Sequence, residues 1–279
     1  MKNGIIAVDL GGTNIRVGLV ENQKLKKTIE KKLENKNDLD NTLLQLSETI
    51  SSLFNRQVKG IAIGVPSVVD TKKGIVYNVA NIPSWTEVHL KSIFEKQFNV
   101  PVEVNNDVNC FILGEHHFGA AKGYYSAVGL AIGTGLGAGI IINNLLLEGA
   151  NAGAGEIGLL PYLQHNLEFY CSGNFFSAFH NMKGKDNYNN AKNNDTKALD
   201  IFNEFGKHVA QAIKYTVLAY DPEIIVLGGS IAEAFPFFEK AMNEALTDFP
   251  YPNSIKKLTI TCAKNPQSHL LGASLLINN

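Results

Sequence analysis

The chain has 279 residues, 45% hydrophobic and 18% charged, which is enough for one large domain or two modest ones without disulfides or a structural metal. Its 25 Lys and Arg against 26 Asp and Glu give a net charge of −1, which argues against nucleic acid or an anionic membrane as partner. No apolar run reaches the roughly 20 residues of a spanning helix, the N-terminus lacks a signal-peptide core, and the widely spaced Cys110, Cys171 and Cys262 fit thiols of a reducing cytoplasm.

The first apolar run, residues 4–8, stops at Asp9-Leu10-Gly11-Gly12-Thr13, and a second follows over 15–20. Two strands around a glycine turn predict a hairpin. Apolar spacing at Leu43, Leu44, Leu46, Ile50, Leu53 and Phe54 predicts a helix over 40–55. A strand over 58–63, a helix over 90–98 and a strand over 101–104 come next. That last strand runs into Asn105-Asn106-Asp107-Val108-Asn109.

The second half starts the same way. A strand over 126–132 meets the glycine turn 133–139 and the strand 140–142. The two glycine segments lie about 125 residues apart and form a weak internal repeat, the mark of two domains with related cores. The Asn-rich stretch 182–197 reads as a solvated loop with no chemistry. A long amphipathic helix over 198–220, a buried strand over 223–227, a helix opened by Gly228-Gly229-Ser230 and an apolar helix over 268–276 complete the chain.

Gly133, Gly135 and Ala138 match the spacing of a dinucleotide fingerprint, but that motif must open a helix, and here a strand follows. A glycine turn between strands can still cradle an anion on its free N–H groups, or be a plain tight hairpin. Two such turns, with Thr13, Thr134 and the acid Asp9, favour phosphate, with Asp9 holding Mg²⁺ through water. Asp107 stands at the carboxyl end of a strand, where open α/β sheets place ligands. The same run also reads as an Asx turn with Asp107 or Asn109 capping a helix. Glu156 and Glu168 suit recognition of vicinal hydroxyls, or serve as ordinary first-turn acids.

Together these segments resemble the ROK sugar kinases of the actin/hexokinase-like superfamily. Asp9-Leu10-Gly11-Gly12-Thr13-Asn14-Ile15-Arg16 is similar to the family's first phosphate motif, and Gly133-Thr134-Gly135 to Gly139 to its second. The run from Glu223 to Gly228-Gly229-Ser230 resembles the adenosine motif. Asn106-Asp107-Val108-Asn109 resembles the catalytic segment, and the segments at Glu156 and Glu168 resemble two sugar-binding stretches. Gly64-Val65-Pro66 and Asn81 to Trp85 match weaker landmarks.

The resemblance implies a two-lobed, actin-like (ribonuclease H-like) α/β fold. A small domain over 1–108 would be completed by the helix 266–279, with a larger domain over 109–265. It implies ATP- and Mg²⁺-dependent phosphorylation of a hexose at its 6-hydroxyl in the cytoplasm, glucokinase-like, and a homodimer. Asp107 would be the general base. Asn81, Asn106, Asp107, Glu156 and Glu168 would bind sugar. Gly11, Gly12, Thr13, Arg16, Gly133, Thr134 and Gly135 would hold phosphates, and Gly228 and Gly229 the adenosine. N-acetylmannosamine and β-glucoside kinases of the family are alternatives. So is a sugar-responsive transcriptional regulator, although only eight residues precede Asp9 and no DNA-binding domain is expected.

Many relatives have a His where this chain has Leu159, followed by a cysteine cluster that binds zinc. Here residues 161–166 hold no cysteine, and His165 stands alone against the four ligands a zinc site needs, so no zinc is expected. Cys110 and Cys171 read as small buried apolar residues, and His116-His117 as a solvated helix face. Leu159 predicts a roomier or more apolar pocket edge near the sugar's C1 or C2 substituent.

Overall fold

A computed structural model describes residues 3–150 and 153–277. The chain forms two units. The first comprises 1–122, 146–154 and 265–279, and the second 123–145 and 155–264.

In the first unit β1 (Gly4–Leu10), β2 (Asn14–Glu21) and β3 (Lys24–Lys32) form an antiparallel meander. Helix α1 (Leu39–Ser51), capped by Asp38, leads to β4 (Val58–Val65), which runs parallel to β1. A small sheet of β5 (Val69–Asp70), β6 (Ile75–Tyr77) and β7 (Glu87–Val88) precedes α2 (Leu90–Phe98), β8 (Val102–Asn106) and α3 (Asp107–Phe118). The main sheet has the order β3-β2-β1-β4-β8. Its inner strands β1 and β4 are near-continuous apolar runs because both faces are covered, with Ile6, Val8, Ile61 and Ile63 fully buried, whereas the edge strand β3 is lysine-rich and largely exposed.

In the second unit β9 (Ala127–Ile132) and β10 (Leu136–Ile142) form a hairpin, with β11 (Leu145–Leu146) at its edge. The short hairpin β12 (Pro161–Tyr162) and β13 (His165–Asn166) leads into α4 (Leu167–Cys171), α5 (Gly173–His180), α6 (Gly184–Lys192) and α7 (Thr196–Tyr220). Then come β14 (Ile224–Gly228), α8 (Phe235–Leu246), α9 (Pro252–Lys257) and β15 (Thr259–Cys262). The sheet order β11-β10-β9-β14-β15 repeats the logic of the first unit: a hairpin extended by parallel strands.

Three expectations change. The expected boundary at 108/109 cuts α3, which belongs to the first unit through Lys122. The reason is its packing on the C-terminal helix (Ser268–Leu275). The two helices approach so closely that a Cβ on Gly114 would lie 2.0 Å from the Ser268 carbonyl oxygen, and one on Gly272 1.8 Å from that of Cys110. The glycine turn 133–139 is shorter than expected: Gly133–Gly135 turn, and Gly137 and Gly139 already pair within β10. The Asn-rich stretch is helical as α6, because Asn187 and Ala191, one turn apart, are buried on one face.

Candidate active site

In the first unit the strand register assembles a row. Arg16 lies opposite Asp9 across the hairpin, Asp9 pairs with Gly64 on β4, and Gly64 pairs with Asn105 on β8. These are the carboxyl ends of three parallel strands. The Arg16 guanidinium stands 3.7 Å from Asp9 and 4.0 Å from Glu30, and donates to the Pro266 carbonyl at 3.3 Å. Gly64 keeps the row open, since a Cβ there would press on Cys110 Sγ at 3.2 Å and on the Cα of Asp107 at 3.4 Å.

The turn Gly11–Thr13 closes with the Gly11 N–H donating to the Asn14 carbonyl at 2.9 Å. Asn81 packs on it: a Cβ on Gly12 would lie 2.5 Å from that of Asn81. Lys36, which the sequence reading did not single out, reaches the same turn and donates through Nζ to the Gly12 carbonyl.

Asp107 is the first residue of α3 and accepts from the Val108 N–H at 2.9 Å. The helix cap is Asn106, rather than Asp107 or Asn109. Its Oδ1 accepts from the N–H groups of Val108 (2.8 Å) and Asn109 (3.2 Å), and its Nδ2 donates to the Ser67 carbonyl at 3.2 Å. Behind it, buried Asn105 donates to Glu148 Oε1 at 2.6 Å and accepts from Asn109 Nδ2 at 2.9 Å. Glu148 Oε2 accepts from Thr71 at 3.3 Å. Burial, then the charges of Asp107, Asp9 and Glu148, holds the Cys110 thiol well above its usual range, so it stays a neutral packing group.

In the second unit the turn Gly133–Gly135 receives the Gly173 N–H on the Gly133 carbonyl at 2.8 Å. Glu168, in the first turn of α4, accepts from the Leu136 N–H at 3.0 Å, and a Cβ on Gly135 would strike it at 2.5 Å. Loss of surrounding water, then the charge of Glu168, raises the Glu156 carboxyl. Gly229 has φ +82°, and any Cβ there would meet the Ile132 carbonyl oxygen at 2.3 Å, so only glycine fits this turn.

Beside these turns lies a cavity of about 570 Å³ whose lining includes Gly133, Thr134, Phe176, Lys183, Tyr188 and Ser230. Helix α6 forms one wall, so the Asn-rich stretch, expected as a solvated loop, lines this cavity. Its signal was Tyr188 at helical spacing from Gly184 and Ala191. The two glycine turns at 133–135 and 228–229 come together here. Asp9, Gly11–Thr13, Arg16, Asn81, Asn106 and Asp107 stand in the other unit.

The hairpin 161–166, which holds no cysteine, packs by aromatic contact. Tyr162 Oη lies 3.0 Å from His208 Nδ1, its ring meets Tyr170 edge-on at 5.2 Å, and exposed His165 stacks on Phe169 at 4.0 Å. Among the described residues, no cluster of three His, Cys, Asp or Glu could hold a metal. Buried Cys171 donates to the His208 carbonyl, and burial keeps its thiol protonated. His117, exposed on α3, bonds the Leu113 carbonyl at 3.0 Å. No helix among the described residues is long and apolar enough to cross a membrane.

Comparison with known proteins agrees with this architecture. A glucokinase of Thermotoga maritima is 26% identical over 309 residues, covering 99% of this chain and 98% of its own. The xylose repressor of Bacillus subtilis is 29% identical over 237 residues, covering 78% of this chain and 60% of the repressor. A ROK family glucokinase of Streptomyces griseus, solved with glucose and AMPPNP, superposes with a TM-score of 0.83 at 24% identity, covering 99% of this chain and 100% of that one. Such neighbours carry the actin-like ATPase fold, and the ROK family model matches residues 5–279. The chain belongs to the ROK family, whose relatives include sugar kinases and repressors.

Proposed function

We propose that the chain is an ATP-dependent sugar kinase that phosphorylates a hexose at its 6-hydroxyl, with Asp107 as general base. The observation that carries this reading is the row at the carboxyl ends of β1, β4 and β8. It sets Asp9 beside the Gly11–Thr13 turn at the end of β1, with Asp107 directly after β8, two strands along the same sheet. Charge from both acids reaches the same buried thiol of Cys110.

In this reading Asp107 accepts the proton of the attacking hydroxyl, a role worth about 10²–10⁴-fold in rate. Asn81, Asn106, Glu156 and Glu168 hold the sugar. The turns Gly11–Thr13 and Gly133–Gly135, with Arg16, hold phosphates, and Gly228 and Gly229, which precede the Ser230 that lines the cavity with Tyr188 and Phe176, border the adenosine. Positioning and neutralisation of charge supply most of phosphoryl transfer, which is what glycine turns and fixed carboxylates offer. Asp9 suits Mg²⁺, which takes one or two carboxylates with phosphates and water in place of an all-protein cage. When bound, that ion supplies charge neutralisation on the donor phosphates.

The acceptor class includes glucose, N-acetylmannosamine and β-glucosides. Leu159 stands where many relatives have a sugar-contacting His, and it is apolar and 64% exposed, so in this reading the pocket edge is more open or apolar and favours a substituted sugar. The test is ADP release with ATP and a panel of glucose, N-acetylmannosamine, fructose and cellobiose, for wild type and Asp107→Asn. Turnover by wild type and its collapse in Asp107→Asn are expected. Equal rates would sink the base assignment, and acceptance of glucose alone would sink the open pocket edge. A gel shift with genomic fragments tests the regulator alternative, and light scattering tests the proposed homodimer.

A further inference from the structure

We propose that Lys36 is a phosphate-binding residue of the donor site, an inference that rests on the kinase reading. Lys36 lies between β3 and α1 and is half-buried. Its ammonium donates to the Gly12 carbonyl, in the centre of the first glycine turn. Its own carbonyl accepts from the Ser84 N–H at 3.2 Å, in the loop whose Asn81 packs on Gly12. The backbone of Lys36 is thus anchored to that loop while its ammonium is anchored to the turn.

Charge decides what it is for. An ammonium carries three donors, and Gly12 takes one. Among the described residues no carboxylate stands within 4.0 Å of Lys36, whereas Arg16 beside the same turn already faces Asp9 and Glu30. A cation partly withdrawn from water without an anion is costly to hold. The turn itself offers only the partial charges of N–H groups. Lysine is a point-charge binder of phosphate, and the phosphate chain of MgATP is the anion that the adjoining amides are placed to receive. The competing role is a strut, in which the ammonium only caps the Gly12 carbonyl.

The test uses the full chain with Lys36→Met, which keeps the apolar stem, and Lys36→Arg, which keeps the charge. Steady-state rates are measured with ATP and sugar varied separately. Calorimetry gives the affinities for the magnesium complex of AMPPNP and for adenosine. Lys36→Met is expected to lower kcat/KM for ATP about 100-fold, by analogy with removing one donor to a developing charge. Its sugar KM and adenosine affinity should stay within about twofold of wild type, and Lys36→Arg should recover most of the loss. Unchanged kcat/KM for ATP, or adenosine and triphosphate affinities that fall together, would overturn the proposal in favour of the strut. If wild type turns over no sugar, the kinase reading fails separately. AMPPNP affinity still decides Lys36: a loss confined to the triphosphate in Lys36→Met supports it, and equal affinity overturns it.

Discussion

The N–H of Leu136 donates to Oε2 of Glu168 at 3.0 Å, so the residue that ends the second glycine turn is tied to the first acid of α4. The contact leaves no room for a side chain at Gly135, whose Cβ would lie 2.5 Å from the same oxygen. Glu168, proposed to bind sugar, is thus tied directly to the turn proposed to hold phosphate. Hydrogen bonds to a charged group contribute about 1.5–3 kcal/mol, so Glu168→Ala should cut kcat/KM for the sugar about 10- to 100-fold. Glu168→Gln keeps an acceptor for Leu136 and should fall between. Initial rates with the sugar varied at saturating ATP measure this, and a wild-type value for the alanine variant would remove Glu168 from the sugar site.

Much of this arrangement was legible in the residues. The strands were β-branched apolar runs, and both turns announced themselves as glycine and threonine between them. What stayed hidden depended on partners distant in the chain. The unit boundary moved to Lys122 because α3 meets the C-terminal helix through Gly114 and Gly272, about 160 residues apart. Helix α6 was masked because its buried face is Gly184, Asn187 and Ala191, none strongly apolar. In Asn105-Asn106-Asp107, each side chain can cap a helix, and only the strand register makes Asn106 the cap. Lys36 carried no signal at all, being one lysine in a polar stretch until the fold sets it on Gly12.

Helix α6 should shape donor affinity. Tyr188 lines the cavity with Phe176 and Phe202, a surface on which a nucleobase can stack. Base–aromatic stacking is worth about 1–3 kcal/mol, so Tyr188→Ala should raise KM for ATP by about 5- to 100-fold and leave the sugar KM in place. A change confined to the sugar KM would place the nucleobase elsewhere.

Glu148 braces the turn that carries Asp107 from behind. It accepts from Asn105 at 2.6 Å and from Thr71 at 3.3 Å, and Asn105 in turn takes the Asn106 N–H at 2.8 Å. Truncation to alanine leaves the buried Asn105 amide without an acceptor, at a cost of about 1–3 kcal/mol of unfolding free energy in urea. It should also lower kcat more than it raises KM for ATP, because the loosened group is the turn that carries Asp107. Glu148→Gln restores the acceptor and should recover most of both. Loss of stability with wild-type kcat would confine Glu148 to folding.

The hairpin of β12 and β13 should need no metal. Its contacts are rings: Tyr162 against Tyr170 and His208, and His165 on Phe169. Stacked and edge-on pairs are worth about 0.5–1.5 kcal/mol each. Incubation with a zinc chelator should therefore leave the melting temperature where it is, whereas Tyr162→Ala should lower it. A drop in melting temperature on chelation would show a metal in this hairpin.

Glu156 should set the acid side of sugar affinity. Partial desolvation and the neighbouring charge of Glu168 raise its carboxyl above the ordinary 4.5. Between that value and the raised one, the folded chain binds more protons than the unfolded chain. Stability from this group therefore falls as pH rises through the window. Sugar binding runs the other way, because the ionised form is the better acceptor for hydroxyl groups. Affinity should weaken as pH falls through the raised pKa, at a higher pH than an ordinary glutamate would give. Glu168→Gln removes the like charge and should move the acid limb of kcat/KM for the sugar to lower pH, whatever its effect on the plateau. An acid limb that stays in place in Glu168→Gln would mean that the two carboxylates do not share the titration.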